Sequence, residues 1–544
     1  MNRLEKRILI YGVIPTAVVI CLIASYCLGA DANYDLLNYH FLNGYLYAHN
    51  AIITDTTSSI QSYLDPYISI FFYFLIAYLK PLTANWVIAF IQAFNLVAVF
   101  LIARELLARF GFRCSTRIAV SILLSLLIVI GPGFWSEIGT TMGDSILSVP
   151  ILFTLYCVVR CTRGDLSTRT RIAFLLIAGL LVGFTCTMKL TNATFALALA
   201  MSVLLAEYTD FSHLKKAIGM ASLFSGGVAI GFILTYAPLG FQLWQHFRDP
   251  VFPYFNGVFN SPYVVAHSIA DVRWYPTSFW GYFTMPFQFV GRQSPSANSA
   301  GHYFGMEIPF RTAYFAILVP LTALYVIVAS MRWKKDKGTY LASHIVVAFF
   351  VIGYILWALE FSYYRYLITL EILAPLVVAI EVIYVWPIFA RRQVANLGLM
   401  TALLLISLYS LPDANWGRIP FAQTYFGINS HELRSYSKDE VVLGVYPQPL
   451  GFVVPYFPAS DHFITLPSSN GVLYYPPYLR WYIDRYYKSN RAMIYVGEYS
   501  PGLSLIRAQI ASLLEDYRLS IDLNACKEIS TNLAPIVICP AKRI

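Results

Sequence analysis

Charge is what this 544-residue chain has least of. Asp, Glu, Lys and Arg make up 12% of it, about half their share in soluble domains. That shortage excludes an ordinary soluble globule. With 58% hydrophobic residues and a mean hydropathy of +0.60, arranged in long apolar runs, it implies a polytopic membrane protein. The chain also lacks CxxC, CxxH and HExxH spacings, so no zinc site is indicated. It shows no internal repeat, which weighs against a transporter built from two related halves. The net charge of +9 implies no nucleic-acid partner, because much of the excess Lys and Arg falls in short loops, as the positive-inside rule expects.

The apolar runs predict spans at about 8–29, 84–104, 117–133, 145–160, 172–188, 190–207, 217–240, 311–331, 340–358, 367–388 and 394–411. The first follows Arg3, Lys6 and Arg7 and is longer than a signal-peptide core, so it reads as an uncleaved span. Basic clusters lie at the N-terminus, Arg104/Arg109/Arg113/Arg117, Arg160/Arg163/Arg169/Arg171, Lys215/Lys216, Arg332/Lys334/Lys335/Lys337 and Arg391/Arg392. Placing all six in the cytoplasm requires residues 31–104 to cross the membrane once. The run 66–79 would then not span. Its fourteen residues cover about 21 Å as a helix, against roughly 30 Å of hydrocarbon. It is expected to lie at the outer surface or to dip in. The N-terminus is thus expected inside. Loop 30–83, loop 133–144, loop 241–310 and everything after 412 are expected outside, in the periplasm of a bacterium.

After Leu411 the periodicity changes. VVLGVYPQPLGFVVPYF (441–457), RAMIYVGEYS (491–500) and LAPIVICPA (533–541) read as strands, and 503–519 as an amphipathic helix. These predict a small α/β domain over 412–544, following a transmembrane domain over 1–411. Six of the eight cysteines fall in spans or inner loops. Cys526 and Cys539 both fall in the outer domain, where oxidation is permitted, and a disulfide between them is expected.

Ionisable groups at membrane edges are functional candidates by default. Asp31 and Asp35 in GADANYDLLNYH (29–40) follow the first span, with Tyr39 and His40 beside them. Four residues apart, the two acids would share a face if the segment is helical. One could serve as a general base towards a hydroxyl, and Asp31 equally suits a helix cap. Asp65-Pro66 opens the next apolar run, Glu137 and Asp144 stand in WSEIGTTMGDS (135–145), and Lys189 sits between two apolar runs. Arg365 stands between tyrosines in SYYRYL (362–367), next to Tyr366 and near Glu360 and Glu371. Its planar fork suits a phosphate. Together these place acids and bases around helix ends on one side of the membrane.

This pattern resembles the GT-C superfamily of integral-membrane glycosyltransferases, which use polyprenyl-phosphate sugars and include aminoarabinose and protein mannosyltransferases. Asp35-Leu36-Leu37-Asn38-Tyr39 is similar to the family's first-loop Asp-Glu-x-x-Tyr, with Leu36 in place of the Glu. Asp65-Pro66-Tyr67 resembles its acidic-Pro-Pro-Leu segment with one proline lost, and Asp144 its second outer-loop Asp. Gly179, Gly183, Lys189, Leu190 and Thr191 match a glycine-rich span ending in Lys-x-Thr. RDPVFPYFNGVFNSPY (248–263) and YRYLITLEILAPL (364–376) resemble segments of bacterial O-antigen-type members.

The resemblance implies a GT-C-like bundle of about eleven transmembrane helices with juxtamembrane helices, and an inverting transfer from a polyprenyl-phosphate sugar donor. The acceptor would be lipopolysaccharide or O-antigen, another glycan, a lipid or a protein. Asp35 would deprotonate or orient the acceptor hydroxyl, and Lys189 and Arg365 would neutralise charge on the leaving phosphate. Asp31 or Asp144 would bind sugar or acceptor, and Tyr39, His40, Asp65, Glu137 and Tyr366 would line the substrate. Carboxylate oxygens of Asp31, Asp35 and Asp144 suit Mg2+ or Mn2+, but a monophosphate leaving group is served by Lys and Arg alone, so no cofactor is required. Residues 274–290 read as an aromatic interfacial helix, and 291–305 as a mobile segment. Two other functions fit the composition. One is an O-antigen polymerase or ligase relying on Arg248, His267 and Arg292, and the other is a transporter of lipid-linked glycans.

Overall fold

A computed structural model describes residues 3–53, 55, 61, 63, 66–163, 165–207, 214–263, 271–292, 303–336, 340–410, 415–431, 433, 441–445, 450–458, 460–466, 491–495, 519–533 and 535–543. Among the described residues nine helices are long and apolar enough to cross a membrane. They are Arg3–Leu28, Pro81–Arg109, Asp144–Cys161, Thr168–Met188, Leu190–Glu207, Leu214–Phe247, Tyr314–Arg332, Leu341–Glu360 and Tyr364–Val385. Shorter apolar helices run over Tyr67–Tyr78, Cys114–Ile130 and Gln393–Tyr409. Each run predicted as a span is therefore helical. The largest difference in length is the run expected at 217–240, which continues as one helix to Phe247. At 34 residues it is about 51 Å long, and neither Gly240 nor Pro238 breaks it.

The chain forms two compact units. The first comprises 1–28, 86–235 and 271–416 and is a helical bundle. At its centre lies Ile368–Val385, buried on every side apart from Val382. A helix that is largely apolar all round finds partners on every face, and it packs against Phe94–Arg109, Asp144–Cys161, Tyr314–Asp336 and Leu341–Glu360. Helices Thr168–Met188 and Leu214–Phe247 cross at close range through glycine. A Cβ on Gly179 would meet the Phe224 carbonyl at 2.3 Å, and one on Gly231 the Leu180 carbonyl at 2.3 Å. With Gly183 and Gly227 these form two facing small-x-x-x-small pairs, which let helix backbones touch. The glycines matched above to a family motif thus have a packing role, and they fix the helix that ends at Lys189.

One end of this bundle gathers the basic loops around buried acids. Glu5 pairs with Arg104 at 2.9 Å and with Arg117. Glu105 meets Arg104, Arg109 and Arg163 at 3.5–3.6 Å. Glu207 pairs with Arg171 and with Lys216 at 3.1 Å. The N-terminal segment, the 104–117 loop and the 160–163 turn therefore meet at one end, as expected of loops sharing one side of a membrane.

The second unit comprises 29–85, 236–270 and 417–544. The C-terminal segment thus clusters with the first loop rather than standing alone from residue 412. Ala30 bridges Ile419 in antiparallel fashion, Phe41 packs on Phe426, and a Cβ on Gly451 would strike the Asn38 carbonyl at 1.9 Å. Helix Pro66–Tyr78 packs on Phe41–Ala48, where a Cβ on Gly44 would meet the Ser69 carbonyl at 2.2 Å.

Among the described residues six strands follow: β1 Val441–Val445, β2 His462–Leu466, β3 Arg491–Tyr495, β4 Leu519–Ile521, β5 Lys527–Ile529 and β6 Ile536–Arg543. Their order is β2-β1-β3-β6-β4, with β5 also on β6. β1 is parallel to β2 and β3, and β6 is antiparallel to β3. Within 441–457, expected to hold short strands with Pro and Gly turns, Val441–Val445 is a strand and Gly451–Tyr456 is a 3-10 turn containing Pro455, since proline supplies no ladder donor. The helix expected at 503–519 and the segment expected to be mobile at 293–302 lie outside the described residues. Cys526 and Cys539 form a disulfide, with 4.1 Å between their Cα atoms.

Candidate functional site

In the first unit, residues 131–145 and 362–371 build a buried polar site. Gly131-Pro132 starts the helix Pro132–Glu137, with proline at its first position, where its fixed φ is pre-set and no N–H is missed. Gly143, at φ 87°, turns the chain into helix Asp144–Cys161. A positive φ of this size suits glycine. The turn places Glu137 at the next helix's start, where the Ser145 N–H donates to Glu137 Oε2 at 2.9 Å.

Asp144 is the hub. Lys189 Nζ stands 2.7 Å from each Asp144 carboxylate oxygen and donates to the Met142 carbonyl at 3.2 Å. Arg365 Nε is 3.5 Å from Asp144 Oδ2. The Lys189 ammonium lies over the Tyr366 ring at 4.9 Å. The Arg365 guanidinium lies over Tyr363, Tyr366 and Trp416 at 5.2–5.7 Å, contacts that favour a cation. Lys189 itself breaks the helix: its extended backbone ends Thr168–Met188 and turns its side chain inward.

Glu137 is buried, and its Oε1 has no hydrogen-bond partner. Burial pushes its carboxyl well above the usual carboxylate range; the Asp144 charge adds to the shift and Lys189 opposes it. The site therefore holds two cations, one paired carboxylate and one carboxyl driven toward its neutral form.

Three further residues hold this arrangement. Gln92 accepts from the Gly139 N–H at 2.7 Å and donates to the Glu137 carbonyl and Ser145 Oγ at 2.8 and 2.7 Å. Asn95 donates to the Ser145 carbonyl and accepts from Ser148 Oγ, both at 2.7 Å. Glu371 accepts from the Gly133 and Phe134 N–H groups at 2.9 Å and from the Tyr364 hydroxyl at 2.6 Å. A Cβ on Gly131 would meet Glu371 Oε1 at 2.5 Å, so glycine is needed for this clamp. Gln92 and Asn95 were not among the residues singled out from the sequence. Their signal was visible: two amides inside the apolar run VIAFIQAFNLVAVF (87–100), where polar groups are costly unless used.

In the second unit the first loop takes a different form from the one expected. Asp31 lies before the helical backbone, which starts at Tyr34 and includes Asp35, so the two do not share a helix face. Asn33 donates to both Asp31 oxygens at 2.7–2.8 Å and accepts from the Leu36 N–H at 2.9 Å. The cap is therefore Asn33, braced by Asp31. Leu36–His40 is a single π-helical turn, a form frequent at functional sites. Tyr39 is buried, and His40 is buried with Nδ1 3.0 Å from Ser69 Oγ. Asp65 lies outside the described residues. One pair had no sequence signal: His462 Nδ1 is 3.0 Å from Asp55 Oδ1, and the carboxylate raises the imidazole pKa.

Lys189 engages both Asp144 oxygens and the Asn33 amide both Asp31 oxygens. Among the described residues no group of three or more His, Cys, Asp or Glu is gathered to hold a metal.

Fold and site define a multi-pass helical membrane protein with a buried cation–carboxylate cluster. No known family and no curated protein matches the sequence. Among solved structures, the chain is similar to ArnT from Cupriavidus metallidurans bound to undecaprenyl phosphate, with TM-score 0.47 and 11% identity over 97% of both chains. The apo form of that protein aligns with TM-score 0.49 and 10% identity, over 97% of this chain and 98% of that one. The archaeal oligosaccharyltransferase AglB from Archaeoglobus fulgidus, in complex with an inhibitory peptide and a dolichol-phosphate, aligns with TM-score 0.42 and 13% identity, over 88% of this chain and 69% of that one. These likenesses concern the course of the backbone, and the functional reading rests on the side chains described above.

Proposed function

We propose that the protein is an inverting membrane glycosyltransferase that moves a sugar from a polyprenyl-phosphate donor to a hydroxyl of an acceptor. The acceptor would be lipopolysaccharide or O-antigen, another glycan or a protein, on the periplasmic face of a bacterial inner membrane. One observation carries this reading: two buried cations, Lys189 and Arg365, both reach the Asp144 carboxylate. A phosphodiester carries one negative charge, and its charge grows by one as the sugar–phosphate bond breaks. Fixed cations aimed at charge that develops in the transition state supply the kind of stabilisation that dominates many enzymes.

In the transfer, the acceptor oxygen attacks the anomeric carbon from the face opposite the phosphate. The bond between the anomeric carbon and the phosphate oxygen breaks, its electron pair passes to the phosphate, and the hydroxyl proton passes to a base. Asp35 is proposed as that base from the motif around it, independently of the cation cluster. Of the residues behind the polymerase reading, Arg248 and Arg292 are exposed and His267 lies outside the described residues, so no observation favours that alternative.

The test is sugar transfer in membranes carrying wild type, Lys189→Met or Asp35→Asn at matched abundance, with labelled polyprenyl-phosphate hexose and pentose donors. Loss of transfer and of polyprenyl-phosphate binding in Lys189→Met, with loss of transfer but retained binding in Asp35→Asn, is the expected result. Undiminished transfer in Lys189→Met would overturn the reading.

A further inference from the structure

Helices Cys114–Ile130 and Gln393–Tyr409 pack side by side in the first unit and leave a groove of about 420 Å³ between them. Ser115, Thr116, Gln393 and Asn396 line one end, and Ala119, Val120, Leu123, Leu397 and Met400 line the rest. The groove thus changes from polar to apolar along its length. Its polar end lies where both helices start, about 25 Å along Cys114–Ile130 from the loop that carries Glu137. It is separate from the cation–carboxylate site.

Two observations say what fills it. Asn396 is buried, lines the groove, and its Nδ2 has no hydrogen-bond partner. A buried amide donor left open costs stability unless something accepts from it. Secondly, arginine precedes each helix: Arg113 stands just before Cys114, and Arg391 and Arg392 just before Gln393. All three are exposed. Two helix N-termini add positive partial charge at the same end. The polar end therefore offers cations and hydrogen-bond donors, and the rest offers an apolar wall.

We propose that this groove binds an anionic glycerophospholipid, phosphate at the Arg113/Arg391/Arg392 end and one acyl chain along Val120, Leu123, Leu397 and Met400. By the positive-inside rule the lipid would come from the cytoplasmic leaflet, whose anionic headgroups are drawn to basic pockets between helices. Asn396 would donate to a phosphate or ester oxygen. This proposal does not depend on the transferase reading.

The test uses the full-length protein in detergent, mixed with equal amounts of phosphatidylglycerol and phosphatidylcholine of the same acyl chains, and counts retained lipids by native mass spectrometry. Wild type is expected to retain phosphatidylglycerol about tenfold or more over phosphatidylcholine. Arg391→Gln/Arg392→Gln should remove that preference. Ala119→Trp, which fills the groove and spares the arginines, should remove retention of both lipids. Asn396→Leu adds no bulk and should weaken phosphatidylglycerol retention even if the Trp variant fails to fold. Equal retention of the two lipids by wild type would overturn the proposal, as would a preference that survives both the arginine and the Asn396 substitutions. Displacement of phosphatidylglycerol by an equal concentration of inorganic phosphate or undecaprenyl phosphate would also overturn it.

Discussion

The helical bundle contains two buried ion networks, and they are built on opposite plans. At the basic end, Glu5 and Glu105 are each surrounded by two or more arginines, and the excess positive charge reaches water through residues such as Arg163, whose side chain is 43% exposed. At the other end, Lys189, Asp144 and Arg365 are only 4%, 6% and 9% exposed, and Glu137 keeps an oxygen with no partner. Charges sealed from water interact more strongly than exposed ones. The basic end opens to water and reads as architecture and topology. The sealed end holds two cations close to Asp144, where an anion would meet them without screening by water. That difference, more than any single residue, is the case for a phosphate site.

The comparison is broken most forcefully at Asp144. Asp144→Asn takes away the carboxylate that Lys189 and Arg365 both reach, a change that costs about 3–5 kcal/mol when one partner of a buried pair is removed. Adding Lys189→Met should recover much of that stability, because the surviving arginine no longer faces a second buried cation. Transfer should fall by about 100-fold or more in both variants, as when a transition-state charge stabiliser is lost. Thermal unfolding together with the transfer assay separates the two effects. A double variant that recovered activity with stability would make the cluster purely structural and erase the contrast between the two ends.

The clamp on the short helix ranks next. Glu371→Gln keeps one oxygen acceptor in place of two and presents an amide either where the Gly133 N–H and the Tyr364 hydroxyl now donate or where the Phe134 N–H does. A loss of about 1–3 kcal/mol is expected for leaving such buried groups unpaired. Gly131→Ala should act in the same direction, since its Cβ would press on Glu371 Oε1. If Glu371→Gln unfolds at the wild-type temperature, the loop bearing Glu137 is held by something else.

Glu137 gives a pH signature that the basic end should lack. Its folded-state pKa is raised above the ordinary carboxylate value, by burial first and by Asp144 second. The folded protein therefore binds a proton that the unfolded chain has already released, and stability falls as pH rises from the ordinary carboxylate range through the raised value. Ionised Glu137 would also add a negative charge beside the two cations, so polyprenyl-phosphate binding should weaken over the same range. Glu137→Gln should flatten both curves. A wild-type stability that stays level or rises between about pH 5 and about pH 9 relative to Glu137→Gln would contradict the assigned direction.

Much of the bundle was legible because apolar runs bounded by arginine are local signals. The runs at 117–133 and 394–411 became the helices Cys114–Ile130 and Gln393–Tyr409, and the run after Asp65 became Pro66–Tyr78. The candidate residues Glu137, Asp144, Lys189, Arg365 and Tyr366 were legible as ionisable or aromatic groups at helix ends, and the structure gathers them. Other features were not, and each has a physical reason. Asp31 and Asp35 were expected on one helix face, but Asn33 hydrogen-bonds back to Asp31 and delays the helix start. Side chains of this type compete with backbone in ways that periodicity does not register. The bridge from Ala30 to Ile419 and the pair Asp55–His462 join residues about four hundred positions apart, and no local pattern encodes such a contact. Gln92 is the instructive omission: attention went to charged groups, while a neutral amide in an apolar run holds Glu137, Gly139 and Ser145 in place.

The smallest expected effect lies at the basic end and sharpens the contrast from that side. Arg163 meets Glu105 at 3.5 Å, but Glu105 also has Arg104 and Arg109, each at 3.6 Å. Removing one half-exposed arginine of three leaves the buried carboxylate compensated, and an exposed ion pair contributes only about 0–1 kcal/mol. Arg163→Gln should therefore shift unfolding little and leave transfer at the wild-type rate. Glu105→Gln takes away the shared carboxylate and should cost more, still without touching transfer, because the network serves packing and orientation. If Arg163→Gln instead reduced transfer as strongly as Lys189→Met, cations at the exposed end would matter as much as those in the sealed one. The argument from burial for a phosphate site would then fail.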